Sequence, residues 1–190
     1  MISIRNNIFE TNSSSMHALC INREEIWKDP REDTYFQSWR KTHNSMIIKC
    51  GYYGRAPQAP LTSFQEKIDY IWTAVVDTYY QFYPEFKEKD LAKIGWWKEQ
   101  LLQLAPLGSF FAEIDSDRCW EFGIDHAGNI RNFIDECEKE PRYIRALLDD
   151  ESFIEISGDE YPNFMFAFLP RIEGHLFDMP GRYSVYIKGC

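Results

Sequence analysis

The segment from Ser63 to Leu104 constrains the fold most, because it predicts two successive helices with no strand between them. Ser63, followed three residues later by Glu66, matches a capping box at a helix start. Apolar residues then recur at helical spacing, and Pro84 ends the run: Ile68, Ile71, Trp72, Val75, Val76 and Tyr79. A second helix is predicted over residues 90–104, with one apolar side formed by Leu91, Ile94, Leu101 and Leu104. We expect the two helices to pack as a hairpin.

Strand-like segments lie on both sides of this helix pair. Strands are predicted at 2–9, 16–21, 46–50, 109–114, 120–124, 152–157 and 183–187, and shorter helices at 130–137 and 141–148. The turn-prone spacer Asp115–Arg118 favours a β-hairpin between the strands at 109–114 and 120–124, and residues 31–44 are expected to form a loop or a poorly formed helix. The pattern predicts an α+β fold with one domain over residues 1–190, in which an antiparallel sheet of N- and C-terminal strands packs on the central helical hairpin.

The charge of the chain limits the kinds of partner that it can bind. The 190 residues carry a formal net charge of −9, with a pI of about 5.0 and 44% hydrophobic residues. Direct nucleic-acid binding is not expected, because phosphate contacts require a basic surface. An acidic surface serves solubility, and it also suits a partner that is itself basic.

The cysteines and the length of the apolar segments indicate the cellular compartment in which the chain is expected. Five cysteines, none of them close together, suggest neither a disulfide framework nor a paired-cysteine metal site, so reduced thiols are expected. We see no secretory signal pattern and no apolar run of membrane-spanning length. The chain is therefore expected to be cytoplasmic and to have no membrane partner, and its oligomeric state is left open.

Chemistry-bearing residues are most concentrated in the segment from Phe9 to His17. It reads Phe-Glu-Thr-Asn-Ser-Ser-Ser-Met-His and lies between strand-like segments. Side chains of this kind compete with regular backbone hydrogen bonding, so the segment is either a turn or a site. In the strand that follows, His17, Leu19 and Ile21 share one face by period-two alternation.

The run from Arg5 to His17 resembles the N-terminal signature of uncharacterised proteins from phages and prophages of Firmicutes, in which a basic residue and a spacer precede F-E-T-N-S-S-S-x-H. Shorter pieces are also similar to that group: Gly51–Gly54, Ile124–His126, Ser152–Ile154 and Gly158–Asp159. The resemblance implies a phage or mobile-element origin and brings no activity with it.

The polar segment has three interpretations. Its hydroxyls and backbone N–H groups could hold an oxyanion, with Asn12, Ser14 and Ser15 as binding residues. Alternatively, Ser13 could act as a nucleophile beside His17, although no nucleophile-elbow pattern surrounds it. The third interpretation is a strand-connecting turn whose polar side chains satisfy backbone groups.

Other polar residues at predicted strand ends could join this segment in space. Glu10, His17, Asp125, His126 and Asp159 would then form a catalytic or divalent-metal centre. Each has a structural alternative, because Asp125 and His126 also suit a helix-capping loop and Asp159 a solvated acidic turn. No other cofactor is expected.

Aromatic residues are more numerous than one helix face can bury. Most of them are expected in the core, and Trp96, Trp97 and Tyr53 are candidates for contact with a partner.

Two functional hypotheses follow. The first is a phage-encoded acidic accessory protein that inhibits or redirects a host protein, such as a nucleic-acid-handling defence factor, in the manner of an anti-CRISPR protein. The alternative is a metal-dependent hydrolase that acts on a phosphorylated or nucleotide substrate through the Glu10–His17 segment.

Overall fold

The computed structural model describes residues 15–22, 34–42, 45–54, 59–79, 88–104, 111–115, 123–124, 130–158, 176–178 and 183–188. The elements in these ranges are, in chain order, β1 (Ser15–Asn22), α1 (Thr34–Thr42), β2 (Ser45–Ile48), β3 (Tyr52–Tyr53), α2 (Phe64–Tyr79), α3 (Glu88–Leu104), β4 (Phe111–Ile114), β5 (Gly123–Ile124), α4 (Ile130–Lys139), α5 (Arg142–Leu148), β6 (Phe153–Gly158), β7 (Leu176–Asp178) and β8 (Tyr183–Lys188). The opening strand predicted at 2–9 lies outside the described residues.

The main sheet has four strands in the order β6-β1-β8-β7, and all the neighbouring pairs are antiparallel. In its register, His17 lies between Ile156 and Lys188. The side chains of His17, Leu19 and Ile21 are buried, as the alternation predicts. The α+β class and the antiparallel sheet of N- and C-terminal strands are confirmed.

The prediction of a β-hairpin at residues 109–124 is wrong. Strand β4 pairs in parallel with β2, and β5 pairs in parallel with β3. Parallel neighbours need a long crossover connection. Here the connection between β2–β3 and β4–β5 runs through α2 and α3. We call β2–β3 paired with β4–β5 the parallel ribbon.

Helix α2 packs against α3, α4, α5, β2 and β5. It begins as predicted, since the backbone N–H of Ser63 donates to Glu66 Oε2 at 3.1 Å and the N–H of Glu66 donates to Ser63 Oγ at 3.3 Å. These two bonds satisfy donors that the first helical turn leaves open. All the apolar residues predicted for its core side are buried.

Helix α3 packs against α2, which confirms the helical hairpin. Ile94, Leu101 and Leu104 are buried as predicted, but Leu91 is 53% exposed. Trp97 accounts for the difference, because it is fully buried and turns the buried face away from Leu91. At 100° per residue, Leu91 lies about 100° from the centre of that face.

The remaining differences are local. Residues 34–42 form the regular helix α1, where a loop or a poorly formed helix was expected. Cys20 and Cys137 are free, whereas Cys50 is disulfide-bonded. The expectation of reduced thiols is therefore wrong at Cys50, because spacing along the chain does not show which sulfur atoms meet in space.

Candidate functional site

His17 is the part of the polar N-terminal segment whose side chain the structure describes. It is fully buried on β1, and its Nδ1 lies 2.8 Å from the hydroxyl of Tyr70 on α2. The two rings are tilted by 40° with their centroids 5.7 Å apart. A buried imidazole fixed to a helix in this way joins the sheet to α2, and this placement fits the structural interpretation of His17.

Tyr53, which lies beside Tyr70, is also packed in the interior. Tyr53 lies edge-on to Tyr70, with the ring centroids 4.9 Å apart, and is 8% exposed. Burial, together with the nearby carboxylates of Asp69 and Glu66, raises the pKa of Tyr53 well above its usual value. Its hydroxyl therefore stays protonated at neutral pH and serves as a neutral hydrogen-bonding group.

Gly51 brings the backbone close to this tyrosine. A Cβ atom at Gly51 would lie 3.0 Å from the ring of Tyr53, at the tight limit of ordinary contacts. Gly51, which lies between β2 and β3, therefore places the backbone close to the Tyr53 ring, where the lack of a side chain is an advantage.

A row of polar side chains on α2 makes hydrogen bonds to backbone groups of both strands of the ribbon. Gln65 Nε2 donates to the carbonyl of Ile47 at 3.0 Å. Backbone N–H groups then donate to the next three members: Lys49 to Asp69 Oδ1 at 2.9 Å, Gly51 to Thr73 Oγ1 at 2.9 Å, and Ile124 to Asp77 Oδ2. We call Gln65, Asp69, Thr73 and Asp77 the polar stripe of α2. Their four-residue spacing aligns them along one side of the helix.

Asp69 is a member of the stripe with a shifted pKa. Burial raises its pKa from 3.8 to about 6, while hydrogen bonds from the Lys49 N–H and from Gln65 and the charge of Lys49 oppose the rise. Among carboxylates, a raised pKa of this kind can mark a general base. The contacts of Asp69 are nevertheless with the protein's own backbone and with Gln65, so its role is structural.

Lys67 lies on another side of α2 and is fully buried. Its ammonium group donates to the carbonyl of Asp149, and to the carbonyl of Ser152 at 2.9 Å. The hydroxyl of Ser152 donates to the carbonyl of Ala146 at 2.6 Å. The lysine thus fixes α2 to the turn between α5 and β6.

A second polar cluster connects three helices. Glu138 on α4 accepts hydrogen bonds from Tyr79 on α2 and from Lys93 and Trp97 on α3, the last at 3.1 Å. Burial acts to raise the pKa of Glu138, but these three bonds outweigh it and lower the pKa overall. Burial and Glu138 raise the pKa of Tyr79. The carboxylate of Glu138 therefore stays ionised near neutral pH. Its oxygen atoms accept the hydrogen bonds that connect α4 to α2 and α3.

The outer face of the parallel ribbon exposes apolar and acidic side chains, unlike the buried polar groups described above. Ile47 and Tyr52 are 48% and 60% exposed, and Leu91 on α3 is the other large apolar side chain with high exposure in the described part of the chain. Ile47 lies opposite Glu113 in the parallel pairing, and Asp115 follows β4. Both carboxylates are exposed. Apolar and acidic groups therefore share this face.

The predicted meeting of Glu10, His17, Asp125, His126 and Asp159 in one site stays a prediction, because only His17 lies in the described part of the structure. Trp97 is buried and bonded to Glu138, and Trp96 is half-buried, edge-on to Trp97 at 5.2 Å. The catalytic and binding roles proposed for the others stay predictions, since their side chains lie outside the described part of the structure: Glu10, Asn12, Ser13, Ser14, Ser15, Asp125, His126 and Asp159.

Sequence reasoning missed Tyr52, Ile47 and the polar stripe. The four-residue spacing from Gln65 to Asp77 was the available signal for the stripe, but the apolar pattern of the same helix masked it. For Tyr52 the signal was weaker, because the alternation of buried and exposed residues slips by one position at Gly51.

Among the described residues, no group of three His, Cys, Asp or Glu side chains is arranged to hold a metal ion. No helix in the described ranges is both long and apolar enough to cross a bilayer. Comparisons with protein-family models, curated proteins and solved structures find no match to this chain.

Proposed function

We propose that this chain is a small acidic binding protein, encoded by a phage or prophage, that engages a basic, nucleic-acid-handling host protein in the cytoplasm and inhibits or redirects it. A defence nuclease of the CRISPR type is such a target. The observation that carries the proposal is the exposed apolar and acidic face of the ribbon on a chain with a net charge of −9. Acidic groups around an apolar centre suit a partner with a basic rim.

The use of the polar side chains supports the same proposal. The described side chains best suited to chemistry are His17, Lys67 and Asp69. All three are buried and bonded to groups of the protein itself. These structural contacts account for the three residues, so no role in binding a substrate is needed to explain them.

The test is affinity capture from a Firmicutes host lysate with the full-length chain, followed by an assay of the captured protein. We expect capture of a basic nucleic-acid-binding protein, with loss of its nucleic-acid binding or cleavage when the chain is added in equal amount. The capture should weaken between 0.15 M and 0.5 M salt, because screening reduces charge attraction. An unrelated acidic protein of similar charge is the matched control, and equal capture by that control contradicts the proposal.

The hydrolase hypothesis gives a different result in a parallel assay. The purified chain is incubated with nucleotide and phosphomonoester substrates in the presence of Mg²⁺, Mn²⁺ or Zn²⁺. Metal-dependent turnover that is lost in Glu10→Ala, with folding retained, would replace the binding proposal with the enzyme.

A further inference from the structure

We infer that the outer face of the parallel ribbon is the docking surface of this protein, and that its occupant is a basic polypeptide segment of the partner that carries apolar side chains. This inference rests on the proposed function and specifies where the partner binds. The surface comprises Ser45, Ile47, Lys49 and Tyr52 from one side of the ribbon and Glu113 and Asp115 from the other.

The shape of the surface follows from the strand geometry. In β2 the odd-numbered residues are exposed and the even-numbered ones, Met46 and Ile48, are buried against the core. The slip at Gly51 brings Tyr52 back to the exposed side. At about 3.3 Å per residue, Ile47 and Tyr52 are separated by about 16 Å along the ribbon, a span that an extended segment of a few residues covers.

The edge of the ribbon next to α2 is already occupied. Ile47, Lys49 and Gly51 use their backbone groups there in hydrogen bonds with the polar stripe of α2. These bonds hold the strand rigidly, so Ile47 and Tyr52 are presented on a preformed surface. Preformed apolar anchors lose little conformational entropy on binding, and tyrosine is enriched at binding hot spots.

The charged side chains on the docking surface determine which kind of partner segment it favours. Glu113 and Asp115 contribute two carboxylates to this face, and Lys49 contributes one ammonium group. The charge of Lys49 also acts to lower the pKa of the buried carboxylate of Asp69. The remaining acidic character favours arginine and lysine on the partner, and it disfavours nucleic acid and a second copy of this acidic chain.

The test uses ¹⁵N-labelled full-length protein and a short synthetic peptide in which arginine alternates with leucine. We expect saturable amide shifts at residues 45–52 and 113–115, with little binding of an analogue that has glutamate in place of arginine. The double variant Ile47→Thr/Tyr52→Thr should bind the peptide about tenfold more weakly. Threonine maintains the strand propensity of both positions, and circular dichroism and the melting temperature verify folding.

Matched variants separate this surface from other exposed groups. Leu91→Gln removes an equally exposed apolar residue on α3 and should leave peptide binding unchanged. Glu113→Gln should weaken binding and reduce its salt dependence, while Glu99→Gln, an exposed carboxylate on α3, should do neither. Shifts centred on α3, equal binding of the glutamate analogue, or absence of binding would overturn the inference. Self-association of the wild type that the double variant abolishes would also overturn it, since the occupant would then be a second copy.

The proposed function and this inference can fail separately. If the chain captures a host partner and the double variant captures it equally well, the docking surface is elsewhere and the proposed function stands. If the peptide binds this face but the chain captures no more host protein than the unrelated acidic control, the surface is real and the proposed function fails.

Discussion

Replacement of Asp69 by asparagine tests the role of the polar stripe through the pH dependence of stability. Asparagine has nearly the same shape, and its side-chain oxygen can accept both hydrogen bonds that Asp69 accepts from Lys49 N–H and Gln65. The substitution removes the ionisation and keeps the acceptor. Its effect therefore measures the cost of burying the negative charge.

The structure gives the sign and the size of this effect. The pKa of Asp69 is about 6 in the folded protein against 3.8 for the free side chain, so between these values the folded state binds more protons than the unfolded state. The contribution of Asp69 to the free energy of unfolding therefore falls as pH rises through this window. A difference of about two pKa units corresponds to about 3 kcal/mol when fully developed.

The assay is urea denaturation of wild type and Asp69→Asn at a series of pH values. We expect the stability of the variant relative to wild type to increase by about 2–3 kcal/mol between pH 4 and pH 7.5. If the side-chain NH₂ group of the asparagine lacks a hydrogen-bond partner, the variant loses the same stability at every pH. The pH dependence of the stability difference between variant and wild type is then unchanged. Glu99→Gln, which removes an exposed carboxylate on α3, is the control for the loss of a surface charge. A flat or falling difference for Asp69→Asn would refute the assignment of a buried charge to the stripe.

Three further changes test local parts of the fold by thermal or chemical denaturation. Gly95→Ala should stabilise the protein by about 0.5–1 kcal/mol, because a Cβ there meets nothing within 4 Å and alanine favours the helix; destabilisation would show that α3 is not regular at this position. Ser63→Ala should cost about 1 kcal/mol through loss of the capping box, and an unchanged stability would contradict the reciprocal bonds with Glu66. Tyr70→Phe should cost about 1–3 kcal/mol, because it removes the hydroxyl bonded to buried His17; a cost no larger than that of Tyr52→Phe on the surface would contradict the assigned contact.

Local signals predicted helices α2 to α5 well, but not α1. The capping box and the apolar spacing after Ser63 depend on residues within a few turns of one another, and α2 begins where they indicate. The same holds for the core-facing residues of β1, because period-two alternation is a property of the strand itself. In these cases the sequence carries the physical cause within a short window.

Pairing between distant segments was predictable only in part. The turn-prone spacer after β4 suggested a hairpin, but the α2–α3 crossover pairs β4 with β2 and β5 with β3. Leu91 was placed on the wrong side because one buried residue, Trp97, sets the direction of the α3 face. Such outcomes depend on what packs against an element, and the element's own sequence does not contain that information.

The candidate surface was the least predictable feature. The sequence draws attention to the concentrated polar segment ending at His17, yet the structure buries His17 against Tyr70. Conversely, Tyr52 and Tyr53 are adjacent and chemically identical, and the one-residue slip at Gly51 decides that Tyr52 is exposed and Tyr53 buried. Backbone irregularities of this kind have little signature in a single sequence.

The most direct test of the account compares partner capture by three forms of the full-length chain: wild type, Ile47→Thr/Tyr52→Thr and Leu91→Gln. Quantitative mass spectrometry of proteins captured from host lysate provides the measurement. The account predicts that a basic, nucleic-acid-handling protein is enriched equally by wild type and Leu91→Gln and is lost from the double variant. Equal enrichment by all three forms, or loss with Leu91→Gln alone, would contradict it.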